Sequence, residues 1–289
     1  MSVLKSYLIL CRVVISLFAA ASAATGFFLA PHYRIAAVFV VFPAVFLLAC
    51  AASALNQYQE RDLDARMERT RKRPLPSGSM TPSHALFLSF ALFLAGLSFL
   101  AYTGGARTAL LGLFALLWYN GIYTSLKKTT AFAAVPGAAV GMIPPLIGWV
   151  SAGGALFDPR IAAVCFIFFM WQVPHFWLLL LRHGQDYEKA GLPSLTVLMS
   201  RSQIAHITYT WIFAAAVATL LLPLYGVVRS PVLYVAFIPS ALWLVWSGRS
   251  LAARQPVLAS TPLLFRKINV YLFLIMSLLV LENTFLNMP

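Results

Sequence analysis

Nine apolar runs of membrane-spanning length divide this chain, near residues 8–30, 35–55, 83–104, 107–125, 131–151, 161–181, 206–226, 231–247 and 268–286. A hydrocarbon core about 30 Å thick takes about 20 apolar residues per crossing helix. Lipid offers the backbone no hydrogen-bond partners, so runs of this length close their own hydrogen bonds as helices. The chain has 289 residues, 61% hydrophobic and 10% charged, with a mean hydropathy of +0.84. These values exclude a soluble globular domain. They predict an all-α integral membrane protein, a single transmembrane domain over residues 1–289 built as a nine-transmembrane-helix bundle.

The charges between the runs set the expected orientation. With the N-terminus cytoplasmic, the loops on that side carry Arg61, Arg66, Arg69, Arg71, Lys72, Arg73, Lys127, Lys128, Arg182, Lys189, Arg201, Arg249, Arg254, Arg266 and Lys267, fifteen in all. The opposite loops carry four: Arg34, Arg107, Arg160 and Arg229. That bias places the N-terminus inside and the C-terminus outside. The net charge of +13 then reports topology rather than nucleic-acid binding. Lys5 followed by an apolar run mimics a signal peptide, but Arg12 interrupts it and the run continues past Phe27, so it reads as an uncleaved first span. The start of the chain has no transit-like composition, which favours the plasma (inner) membrane of a prokaryote over an organelle. Cys11, Cys50 and Cys165 lie singly in apolar runs, without metal-ligand spacing, and read as buried apolar side chains.

Chemistry concentrates in two polar stretches expected as cytoplasmic loops, about 56–82 and 182–205. Only eight acids occur in the chain, and six of them fall here: Glu60, Asp62, Asp64 and Glu68 in the first, Asp186 and Glu188 in the second. Asn56, Glu60 and Asp64 are spaced i, i+4, i+8, which keeps them within about 80° of one another on a helix. An amide oxygen and two carboxylates on one face, with arginines just beyond, suit a hard divalent cation holding a phosphate or diphosphate. Asp62 points away from that face, toward a neighbouring arginine. Two unrelated solvated loops are the alternative reading of the same acids.

Other polar groups fall on the same side. Tyr119, Asn120, Tyr123, Thr124, Lys127 and Lys128 close one run; Lys127 is suited either to a diphosphate or to anchoring a helix end at the interface. Trp171, Gln172, Pro174 and His175 lie within the bilayer region. There an ionisable side chain is a functional candidate, and His175 is suited to binding an acceptor or to satisfying carbonyls freed by Pro174. Pro144 and Pro145 are expected to break their helix and open space between helices.

NQYQERDLDARMERTRKRPLPSG at 56–78 resembles the first aspartate-rich motif of the intramembrane prenyltransferases of the UbiA superfamily. YTSLKKTT, PGAAVGMIPPLIGW, WQVPHFW and DYEKAGLPSL follow in order, and are similar to the branch of that superfamily that farnesylates haem. The resemblance runs from about Asn56 to Leu195. It implies a nine-helix bundle around a central cavity, with Mg²⁺ and farnesyl diphosphate between the two acidic motifs. It assigns the metal and the catalytic role to Asn56, Glu60, Asp64 and Asp186. Arg69, Arg73, Lys127 and Lys128 would hold the diphosphate, and His175 with Trp171 the haem B acceptor, whose vinyl group is farnesylated to give haem O. The family usually has aspartate where Glu60 stands, and Lys-Pro-Arg in the first helix where only Arg12 remains. A haem A synthase or oxidase assembly proteins would be partners. Prenylation of a quinone-type aromatic ring and a non-catalytic oxidase assembly role are the competing expectations.

Overall fold

The computed structural model describes residues 2–286, and all of its regular structure is helical. Two short helices open the chain, α1 (Val3–Leu10) and α2 (Val13–Leu29), bent by 46° at their junction. They are followed by α3 (Ile35–Gln59), α4 (Arg61–Arg66), α5 (Pro82–Leu116) and α6 (Thr124–Leu126), the last two joined by a π-helical turn, Leu117–Tyr123. Next come α7 (Ala134–Ala138), α8 (Ile143–Ser151), α9 (Pro159–Lys189), α10 (Leu195–Leu198), α11 (Arg201–Leu220), α12 (Pro231–Ala252) and α13 (Thr261–Leu281). Among the described residues seven helical segments are long and apolar enough to cross a membrane, eight if the bent α1–α2 pair counts as one.

The segment Pro82–Leu126 covers both of the runs expected at 83–104 and 107–125. Gly105 within it takes φ 68° and ψ −161°, a conformation open to glycine alone. In a straight helix residues 97 and 112 would stand about 22 Å apart. Instead Gly112 packs on the side chains of Leu97 and Leu100, and the Thr108 hydroxyl donates to the Leu100 carbonyl at 2.7 Å, so the chain doubles back at Gly105.

Between helices in lipid, close van der Waals packing replaces the hydrophobic effect as the force of association. The α2–α8 contact shows this most strongly. A Cβ on Gly148 would sit 1.8 Å from the Ala23 carbonyl oxygen, and one on Gly26 would sit 1.9 Å from that of Pro145. The two backbones therefore touch. Pro144 and Pro145 lie in the first turn of α8, where their missing N–H groups cost nothing, and the expected break falls just before them in the 3₁₀ turn Ala139–Met142. Large apolar side chains such as Val14, Phe87 and Phe157 point outward, as a lipid-facing surface requires.

The polar stretches differ from the loops expected of them. The first holds α4, and the second is largely helix: α9 continues through a single non-helical residue, His183, to Lys189, so Asp186 and Glu188 stand on a helix.

Candidate functional site

The i, i+4, i+8 face of the first motif survives a break in the helix that carries it. α3 ends at Gln59 and Glu60 leaves helical geometry at φ −106° and ψ 8°. The hydrogen bonds Glu60 N–H to Asn56 carbonyl, 2.9 Å, and Asp64 N–H to Glu60 carbonyl, 2.7 Å, both persist across it. Asn56 is 0% and Asp64 1% exposed, with Glu60 also buried. Charged groups held this far from water need partners.

Each finds one outside the helix that carries it. Lys127 Nζ pairs with Glu60 Oε1 at 2.5 Å, and Arg73 Nη1 donates to Asp64 Oδ2 at 2.6 Å. Asn56 Oδ1 accepts from Arg12 Nη2 at 3.1 Å, while its Nδ2 donates to Thr124 Oγ1 at 3.1 Å. Thr124 in turn donates to the Tyr119 carbonyl, which fixes the direction of the whole relay. Arg12 Nη1 donates to the Tyr119 hydroxyl at 3.1 Å. Three cations, Arg12, Arg73 and Lys127, thus meet two carboxylates, leaving an excess of one positive charge. Burial draws the Arg73 guanidinium below the ordinary arginine value, as does the charge of Arg12, while Asp64 pulls it back up.

The loop between α4 and α5 is what brings Arg73 back. Leu75, between two prolines, buries against Leu10, Ala54 and Ala85 of three helices. Thr70, also buried, donates its hydroxyl to the Asp64 carbonyl at 2.9 Å. Asp62 lies exposed beside Arg61, away from the site as expected. Arg69 is exposed, close enough for its charge to act on Arg73 and His183. Lys128 is exposed and makes no ion pair among the described residues.

The acids of the second motif stand on α9 and, among the described residues, make no hydrogen bond or ion pair with Asn56, Glu60 or Asp64. Asp186 is half-buried and acts electrostatically on His183, and the Glu188 carboxylate accepts from Thr196 at 2.5 Å. Among the described residues no three His, Cys, Asp or Glu side chains stand close enough to hold a metal ion together. On chemistry the first set still fits magnesium: two carboxylates and an amide oxygen on one face are hard oxygen donors. The observed cation contacts engage one oxygen of each carboxylate.

Aromatic rings lead from this cluster into the bundle. The Tyr119 and Tyr123 ring centroids are 5.7 Å apart, Tyr123 stacks on Phe176 at 5.6 Å, and Phe176 meets His175 edge-on at 5.9 Å. A cavity of about 80 Å³ opens beside them, lined by Tyr123, Lys127, Phe176 and Tyr187 among others. His175 lies between Trp171 and Phe265, both 4.7 Å away, and its Nδ1 is buried with no hydrogen-bond partner among the described residues. Trp171 is held by its own contacts, donating to the Ile268 carbonyl at 2.8 Å and stacking on Phe18.

Arg12 is the site residue that the pattern of acids did not point to. A single arginine inside an otherwise apolar first run was its signal. Glu282, isolated in sequence, caps the start of α12 by accepting from the Arg229 and Ser230 amides, which is a structural task.

A protein of Geobacter sulfurreducens named protoheme IX farnesyltransferase is 42% identical over 256 residues, 88% of this chain and 94% of its own. One of the same name from Oleidesulfovibrio alaskensis is 40% identical over 238 residues, 82% of each chain. Among solved structures, a digeranylgeranylglyceryl phosphate synthase superposes with a TM-score of 0.76 at 15% identity, covering 97% of this chain and 98% of that one. A UbiA homologue from Archaeoglobus fulgidus bound to GPP and Mg²⁺ gives 0.68 at 16% identity, covering 94% and 99%. Those structures share the fold. Residues 13–274 match the UbiA prenyltransferase family, and the chain belongs to that family.

Proposed function

We propose that this protein transfers the farnesyl group of farnesyl diphosphate to a vinyl group of haem B, giving haem O for terminal oxidases, in a magnesium-dependent reaction at the cytoplasmic side of a prokaryotic inner membrane. The bundle then crosses nine times with its N-terminus inside. The observation that carries the reading is the unbroken series of contacts from Asn56 through Arg12, Tyr119, Tyr123 and Phe176 to His175. It joins an anion-binding end to an aromatic end where the His175 Nδ1 has no hydrogen-bond partner among the described residues. The names of relatives about 40% identical over most of the chain support the same acceptor.

The division of labour follows from the chemistry of allylic ionisation. Asn56, Glu60 and Asp64 would hold magnesium, which when bound neutralises diphosphate charge and makes it a better leaving group. Arg73, Lys127 and Arg12 are already in place beside the acids, and their excess positive charge stabilises the departing diphosphate without reorganisation. Lys128 and Arg69 extend that field at the rim. Asp186 contributes from the second motif once substrate bridges the two. Tyr123 and Phe176 present ring faces along the route of the allylic chain, shielding the carbocation from water until the vinyl carbon attacks. His175, with Trp171 as a fixed wall, positions the haem.

The test is product formation by the purified protein in detergent with haem B, farnesyl diphosphate and Mg²⁺. Haem O is expected from the wild type, abolished by chelation, and reduced at least about 100-fold in Asp64→Ala. His175→Ala should raise the KM for haem B and leave farnesyl diphosphate binding intact. Binding of farnesyl diphosphate with no modification of haem would move the acceptor to a quinone-type ring.

A further inference from the structure

Arg12 is the one non-glycine residue with a positive φ among the described residues, at φ 43° and ψ 51°. It sits at the break between α1 and α2, inside a helix pair long and apolar enough to be a membrane span. Left-handed geometry is unfavourable for a side chain with a Cβ, and a break within a span frees carbonyls that lipid cannot satisfy. Something must hold the break open, and an outlier of this kind is a reason to look for function.

The support comes from the residue after Asn56. Gln57 is fully buried on α3, and its Nε2 donates to two carbonyls of the broken turn, Ile9 at 2.9 Å and Leu10 at 2.8 Å. The Ser16 hydroxyl serves the Cys11 carbonyl at 2.8 Å, and the amides of Ile15 and Ser16 serve that of Arg12. The carbonyls of residues 9 to 12 thus all accept a hydrogen bond. Its product is the aim of one side chain: Arg12 reaches both Asn56 Oδ1 and the Tyr119 hydroxyl. A continuous helix through residue 12 would turn that guanidinium elsewhere. Two carbonyl acceptors require a group with two N–H donors, which a glutamine amide has and a carboxylate lacks. The Gln57 Oε1, buried without a partner among the described residues, shows that the amide is kept for its donors.

We infer that Gln57 is a positioning residue for substrate binding: it props the α1–α2 break and thereby directs Arg12 onto Asn56 at the diphosphate end of the site. The inference rests on the proposed role of that end in binding a prenyl diphosphate.

The experiment is a double-variant cycle on the full chain in detergent, reading the dissociation constants of farnesyl diphosphate with Mg²⁺ and, separately, of haem B. Gln57→Met, which keeps the length and removes both donors, should weaken farnesyl diphosphate about tenfold and leave haem B unchanged. Arg12→Lys should weaken farnesyl diphosphate at least as much, and Gln57→Met combined with Arg12→Lys no further than Arg12→Lys alone. Normal farnesyl diphosphate affinity in Gln57→Met, losses that multiply in the double variant, or equal loss of haem affinity would each overturn the inference while the site reading stands. Normal affinity in both Arg12→Lys and Asn56→Ala would overturn the site reading and the inference with it. Where Gln57→Met does not fold, Gln57→Asn, with donors on a shorter arm, is carried through the same cycle and judged by the same outcomes.

Discussion

The two acidic motifs of this protein are built in opposite ways. Asn56, Glu60 and Asp64 are buried, and each is held by a residue from elsewhere in the chain: Arg12, Lys127 and Arg73. Asp186 and Glu188 ride on the last turns of α9, half-buried and exposed, and Glu188 is met by Thr196 eight residues on. The first is a buried socket whose charges are paired with one another. The second is a local feature on a helix end, beyond the kink at His183. Preorganised charge lowers a barrier because no reorganisation is needed during the reaction. The first motif should therefore carry most of the rate and stability, and the second should act through binding.

The largest break in this comparison should come from Arg73→Met. The change strands the Asp64 carboxylate in a buried setting, and removal of one partner from such a pair costs about 3 kcal/mol or more. A drop in Tm in detergent should accompany a loss of at least about 100-fold in kcat/KM for farnesyl diphosphate. An unchanged Tm would show that Asp64 is less dependent on Arg73 than its 1% exposure indicates.

The same contrast explains what could be read in advance. Nine apolar runs and a one-sided charge distribution were enough for an all-helical membrane bundle, because spanning length and loop charge are local properties. The face of Asn56, Glu60 and Asp64 was legible from spacing alone, and the two i to i+4 hydrogen bonds preserved it through the break at Glu60. What pairs with those acids was harder to see. Lys127 and Arg73 were candidates for the diphosphate, yet their contacts with Glu60 and Asp64 depend on Leu75 burying among three helices and on the reversal at Gly105. Such long-range contacts have no local signature. Arg12 was visible as a charge in an apolar run, but its aim depends on a left-handed backbone that no spacing announces. The second motif was expected in a loop and lies on helix because α9 continues for eight residues beyond the apolar run that ends near 181.

Asp186→Asn sharpens the comparison from the other side. Among the described residues the acid pairs with no cation, so neutralising it strands nothing, and Tm should stay unchanged. Activity should fall about tenfold through KM for farnesyl diphosphate, the scale of one lost charge-assisted contact. A loss as large as that of Arg73→Met would mean that the second motif is part of the same ordered socket.

Glu188→Gln should have the smallest effect, and it separates proximity from participation. Glu188 stands two residues from Asp186 on a helix, so the two side chains point to different sides of α9. Its carboxylate is turned toward the Thr196 hydroxyl, at the start of α10, and a glutamine oxygen can accept the same hydrogen bond. Exposed as Glu188 is, the change of charge is screened by water and salt. Activity should therefore stay within about twofold of wild type, with KM for both substrates unaltered. A tenfold rise in KM for farnesyl diphosphate would place Glu188 beside Asp186 in the substrate-facing half of the motif. The contact with Thr196 would then have to open on binding.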